Sequence, residues 1–95
     1  MAGKAKKQID VSEDIKAVLE LMEAVLNDNS VPRNIRAAVD EAREKVQGNE
    51  EKTVAISTAI YKLDDISNDI NMPSHTRTEI WSIISELEAI KEKMK

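Results

Sequence analysis

Cysteine and phenylalanine are absent from this 95-residue chain, and glycine and proline occur only twice each. Without cysteine there is no disulfide, no thiolate nucleophile and none of the thiolate zinc sites that stabilise many small domains, a pattern compatible with a reducing compartment. No run of about 18 apolar residues could span a bilayer. The amino terminus, Met1-Ala2-Gly3-Lys4-Ala5-Lys6-Lys7-Gln8, lacks the apolar stretch of a secretory signal. A soluble, cytoplasmic protein with no membrane association is expected. A broad basic field is missing as well. The net charge is −4, and residues 1–8 carry +3, leaving −7 for the rest. Phosphate backbones are held by clustered cations, so nucleic acid is not the expected main ligand.

What is abundant is Ala, Glu, Lys, Ile and Leu, which together with the scarcity of Gly and Pro favour helix over strand. The length suits one domain with one core. Residues 1–9 are read as a flexible basic tail, and Lys4, Lys6 and Lys7, with no Arg or interleaved aromatic, as solubilising residues rather than an RNA- or lipid-binding element. Residues 10–95 are read as a single domain.

Four amphipathic helices are predicted. The first begins near Asp10, where Asp10-Val11-Ser12-Glu13 has the form of a capping box, and runs to about Asp28. Its apolar stripe is Val11, Ile15, Val18, Leu19, Met22, Val25 and Leu26. The second starts at Pro32, carries the thin stripe Ile35, Ala38, Val39, Ala42 and Val46, and ends at Gly48, placed as a left-handed terminator. Asn49 is a candidate cap for the third, which is expected to reach Ile70 with Ile56, Ala59, Ile60, Leu63, Ile66 and Ile70 inward. The fourth starts at Pro73 and carries Ile80, Ile83, Ile84, Leu87, Ile90 and Met94.

A second pattern overlies this one. Asn27-Asp28-x-x-Val31-Pro32-x-x-x-Arg36 recurs 41 residues later as Asn68-Asp69-x-x-Met72-Pro73-x-x-x-Arg77, with the apolar positions in register. Amphipathic helices match one another's apolar positions by chance more readily than they share a turn. The expected fold is therefore all-α, an antiparallel four-helix bundle built from two related helical hairpins.

The segment Val31-Pro32-Arg33-Asn34-Ile35-Arg36-Ala37-Ala38, after an Asn/Asp-rich turn in a chain of this length, resembles a small archaeal family catalogued as uncharacterised. The likeness covers nearly the whole chain after the first ten residues. It implies a four-helix bundle of bromodomain-like arrangement and an archaeal cytoplasmic origin, and no activity. Acetyl-lysine recognition does not follow, because function belongs to a site and not to a fold.

Candidate chemistry is sparse. Asp28 with Arg36 and Asp69 with Arg77, around Pro32 and Pro73, could form a duplicated polar site. A structural turn motif is the stronger reading, each carboxylate bonding its arginine and sitting at the amino end of the next helix. His75 and Glu79 are four apart and share a helix face. A four-helix di-iron centre needs two Glu-x-x-His motifs and this chain has a single histidine, so His75 is read as an ordinary surface residue and no metal or cofactor is assigned. No nucleophile–base pair, phosphate loop or catalytic carboxylate pair is recognisable, and no catalytic residue is assigned. Trp81 and Tyr61, the only aromatics, stand where the repeat has Asp40 and Glu20. On a helical wheel Tyr61 lies opposite its core stripe beside Val54, and Trp81 lies to one side of its own. Exposed aromatics are enriched at interfaces, although Trp81 could instead cover a bundle seam. The sequence points to a non-catalytic protein–protein interaction or scaffold module, with Trp81, Tyr61 and Val54 as candidate interface and an unknown protein or a second copy as partner. A weak nucleic-acid-associated accessory protein is the alternative, and an enzyme or small-ligand binder without an identifiable site comes third.

Overall fold

In the computed structural model, which describes residues 10–94, the chain forms α1 (Ser12–Leu26), α2 (Arg33–Gln47), α3 (Lys52–Ile66) and α4 (Ser74–Lys93). No strand occurs among the described residues. The expected basic tail lies outside them. Each helix packs closely on two others in a closed ring, α1 on α2, α2 on α3, α3 on α4 and α4 on α1, while the backbones of the diagonal pairs stand farther apart. Sequential helices that lie side by side across short connections run antiparallel. The chain is thus an antiparallel four-helix bundle, and both proline turns sit at the same end of it.

Four stripes converge inside the ring: Val18, Met22 and Val25 of α1, Ile35, Val39, Ala42 and Val46 of α2, Ile56, Ala59 and Leu63 of α3, and Ile80, Ile83, Leu87 and Ile90 of α4. Ile15, Leu19, Leu26, Ile60, Ile66, Ile84 and Met94 are partly buried around them. Fully burying one large aliphatic side chain contributes about 1.5–3 kcal/mol, and the sum offsets the conformational entropy lost on ordering the chain. The most extensive contact is α2 on α3. Both helices carry small buried side chains, Ala42 on α2 and Ala55 and Ala59 on α3, which suit a close approach.

The helix ends differ from the sequence expectation in four places. The capping box at Asp10 does not form. Asp10 Oδ1 instead accepts from the Ser12 backbone N–H (2.9 Å) and hydroxyl (2.6 Å), an Asx turn, and Val11 occupies the cap position with no side-chain cap bond and its own side chain tucked into the core. Gly48 is not left-handed but extended (φ −75°, ψ −172°). A Cβ there would stand 3.1 Å from the Glu44 carbonyl oxygen, a tight contact. Asn49 does not cap α3. The helix starts later, and Glu51 caps it by accepting from the Val54 N–H at 3.3 Å. Finally, α3 stops at Ile66, where the Ser67 hydroxyl donates to the Asp64 carbonyl at 2.8 Å. The helical period no longer applies beyond that point, so Ile70 is 91% exposed, and Met72, outside every expected stripe, is buried in its place.

Candidate functional site

The two proline turns are built alike. In the first, the Asp28 N–H donates to the Val25 carbonyl (3.2 Å), the Val31 N–H donates to the Asp28 carbonyl (3.1 Å), and Asp28 Oδ1 accepts from the Ser30 N–H (2.9 Å). In the second, the Asp69 N–H donates to the Ile66 carbonyl (3.0 Å), the Met72 N–H to the Asp69 carbonyl (3.2 Å), and Asp69 Oδ1 accepts from the Asn71 N–H (2.8 Å). Pro32 (φ −57°, ψ 150°) and Pro73 (φ −60°, ψ 150°) share one conformation, and the apolar residue before each, Val31 or Met72, is buried. Proline at this point loses no needed donor and presets the turn into the helix.

The second oxygen of each aspartate crosses to the other hairpin. Asp28 Oδ2 lies 2.9 Å from His75 Nε2, near the start of α4, and Asp69 Oδ2 accepts from Asn34 Nδ2 at 3.0 Å, near the start of α2. Asn34 and His75 are themselves 41 residues apart. The two bonds therefore close the two seams between hairpins, α1/α4 and α2/α3, at one end of the bundle. Other ion pairs tie the ring further along: Lys93–Asp14 (2.7 Å) between α4 and α1, Lys62–Glu41 (3.2 Å) between α3 and α2, and Arg43–Glu23 (3.5 Å) between α2 and α1.

This replaces the expected pairing of each aspartate with the arginine of its own hairpin. Arg77 reaches Asp69, but donates to its backbone carbonyl (2.9 Å), and the Arg36 Nε is buried without a partner. The reason is directional: each carboxylate points across the seam, where a polar residue of the opposite hairpin meets it. His75, read from sequence as an ordinary surface residue, is half of that arrangement. Asn34 is the corresponding residue of the other hairpin, placed opposite His75 by the 41-residue offset.

The Asp28 carboxyl is pulled down to about 2, chiefly by the Ser30 hydroxyl, then by His75 and the Ser30 N–H. Asp69 is lowered by the Asn71 N–H and then by Asn34, with Arg77 adding a smaller attraction. A carboxyl whose folded pKa lies below its unfolded value contributes stability that is complete above the unfolded pKa, near 3.8, and is lost as pH falls through the folded one. Wild-type protein is therefore expected to lose thermal stability between pH 5 and pH 2. Asp28→Asn, which has no carboxyl there to protonate, is expected to lose less. Melting curves of both proteins at pH 5, 3 and 2 check this, and parallel declines would remove Asp28 from the acid response.

Among the described residues no three His, Cys, Asp or Glu side chains converge as a metal site would require, and His75 bonds to Asp28 rather than sharing a ligand with Glu79. Tyr61 is 74% exposed, Trp81 55% and Val54 50%. Tyr61 and Val54 share the outward face of α3, and Trp81 stands on the adjacent α4. Tyr61 also edges a hollow of about 210 Å³ between α2 and α3, with Ala38, Thr58, Asp65 and Ile66 among its lining residues.

The family model described as "Uncharacterised protein family (UPF0147)" matches residues 2–90. The chain belongs to UPF0147. A UPF0147 protein of Methanocaldococcus jannaschii is 51% identical over 90 residues, covering 94% of this chain and 97% of that relative. One from Archaeoglobus fulgidus is 41% identical over 76 residues, covering 80% and 87%. Two crystal structures share the fold. One, of the unknown-function protein MMP1188, is 47% identical with a TM-score of 0.82 over 88% of this chain and 97% of that one. The other, a UPF0147 protein from Thermoplasma acidophilum, is 34% identical with a TM-score of 0.79 over 83% and 94%. UPF0147 is thus a family of four-helix proteins with archaeal members, and no helix among the described residues of this member is long and apolar enough to cross a membrane.

Proposed function

We propose that the protein is a non-catalytic, cytoplasmic interaction module that binds another protein through the outward surface of α3 and α4. The observation that carries this reading is the exposure of both aromatic residues, Tyr61 at 74% and Trp81 at 55%, with half-exposed Val54 on the Tyr61 face. Tyr and Trp supply large contact area at low entropic cost and are over-represented among residues that dominate binding energy. The rest of the molecule acts as a rigid support. Its two hairpins are read as copies of one ancestral unit, the residues Asp28, Pro32, Asp69 and Pro73 repeat one turn conformation, and the aspartates hold the hairpins together. Arg36 and Arg77 belong to the same structural motif. No acetyl-lysine pocket is part of the reading.

The double variant Trp81→Asp, Tyr61→Glu is expected to keep its helicity and melting temperature while losing partner binding or self-association by tenfold or more, since central aromatic contacts cost at least about 2 kcal/mol when removed. Circular-dichroism melts and sedimentation equilibrium read the two effects separately. A lowered melting temperature with unchanged association would instead make Trp81 a cover for the bundle seam. Binding that survives moderate salt favours a protein partner, because phosphate contacts weaken steeply as salt rises.

A further inference from the structure

We infer that the hollow beside Tyr61 receives a basic side chain, arginine foremost, from an apolar-flanked segment of a second protein unlike this one. The inference rests on the interaction-module reading and names the chemistry of its partner. Lys62, the hollow's own cation, is engaged with Glu41 at 3.2 Å across the α2/α3 seam. Asp65 is exposed and its carboxylate has no hydrogen bond or ion pair, leaving an unmatched negative charge at the rim. Beside it stands the Tyr61 ring, 74% exposed. A ring face next to a free carboxylate is a complement to a guanidinium, which stacks on aromatic surfaces and gives up its hydration more readily than an ammonium. Ala38 and Ile66 offer apolar wall to the methylene stem of such a side chain. Val54, seven residues from Tyr61 on the same face, would be covered by an apolar neighbour in the partner segment.

Charge decides against a second copy as occupant. Outside residues 1–8 each chain carries −7, so two such bodies repel, whereas a basic partner is drawn in. The cations of a second copy's amino-terminal segment, Lys4, Lys6 and Lys7, are all ammonium groups, more strongly hydrated than a guanidinium and poorer at stacking on an aromatic face.

The test is an NMR titration of the 15N-labelled full chain with N-acetyl-arginine N-methylamide, and with the leucine and glutamate equivalents as comparison probes. The arginine probe should move the Ala38, Tyr61, Asp65 and Ile66 signals along a saturating curve in the millimolar range, and the other two should not. Asp65→Asn and Tyr61→Ser should each weaken it about threefold, as expected of single exposed ion-pair and cation–π contacts. Tyr61→Phe keeps the ring and should keep the affinity, and Glu20→Gln, exposed on α1, the helix diagonal to α3, should leave it unchanged. Equal shifts from the leucine probe, or equal losses from Asp65→Asn and Glu20→Gln, would overturn the inference. If the arginine probe ignores the hollow while the Trp81/Tyr61 double variant still abolishes association, the basic-partner inference falls and the interaction module stands. A seated arginine probe beside an association insensitive to that double variant would uphold the hollow's preference and sink the broader α3/α4 surface.

Discussion

Leu63→Ala is expected to cost about 2–5 kcal/mol, lowering the melting temperature by roughly 10–30 °C in a domain of this size. Leu63 is fully buried in the α3 stripe, in a ring whose four helices all contribute to one core. Truncation removes the transfer free energy of the lost carbons and leaves a cavity, and the part of the range realised depends on how far the surrounding side chains relax inward. Glu20→Ala provides the comparison. Glu20 is exposed on α1 with no ion pair, and its loss should stay within about 0.5 kcal/mol. Urea titrations of both variants check the assignment of helix faces, and similar midpoints would refute it.

A contrast of comparable size concerns the turns. Val31→Asp should be severely destabilising, by about 3–6 kcal/mol, since Val31 is 1% exposed and a carboxyl there must either remain charged in an apolar site or take up a proton well above its ordinary pKa. Ile70→Asp, at a residue 91% exposed, should change stability by less than about 0.5 kcal/mol and could improve solubility. Denaturant midpoints measured at pH 7 decide. The two substitutions have the same chemistry and opposite expected outcomes. Helical periodicity alone would have ordered them the other way, with Ile70 inward and Val31 in a connecting turn.

That reversal marks where sequence reasoning reached and where it stopped. Ile35, Val39, Ala42 and Val46 on α2, and Ile80, Ile83, Leu87 and Ile90 on α4, were legible because a regular helix fixes which side chains share a face, and only one face can leave water. Ile70 falls outside the stripe because the helical period holds only as far as Ser67, which ends the helix. The cap at Glu51 was missed for a related reason, since a two- or three-residue shift in the helix start changes which side chain can reach the free N–H groups.

By itself the sequence determined the helical class, the four amphipathic stripes, the placing of a proline within one residue of the start of α2 and of α4, and the 41-residue echo between the turns, all of which arise from interactions between residues near one another along the chain. Tertiary structure decided that Asp28 meets His75 and Asp69 meets Asn34, that Val31 and Met72 close the core, and that Tyr61 borders a hollow against α2. These depend on the relative placement of whole helices. A carboxylate held by a neighbouring N–H has one oxygen left to share, and which side chain takes it is set by the packing of one hairpin on the other, a relation that no local spacing encodes.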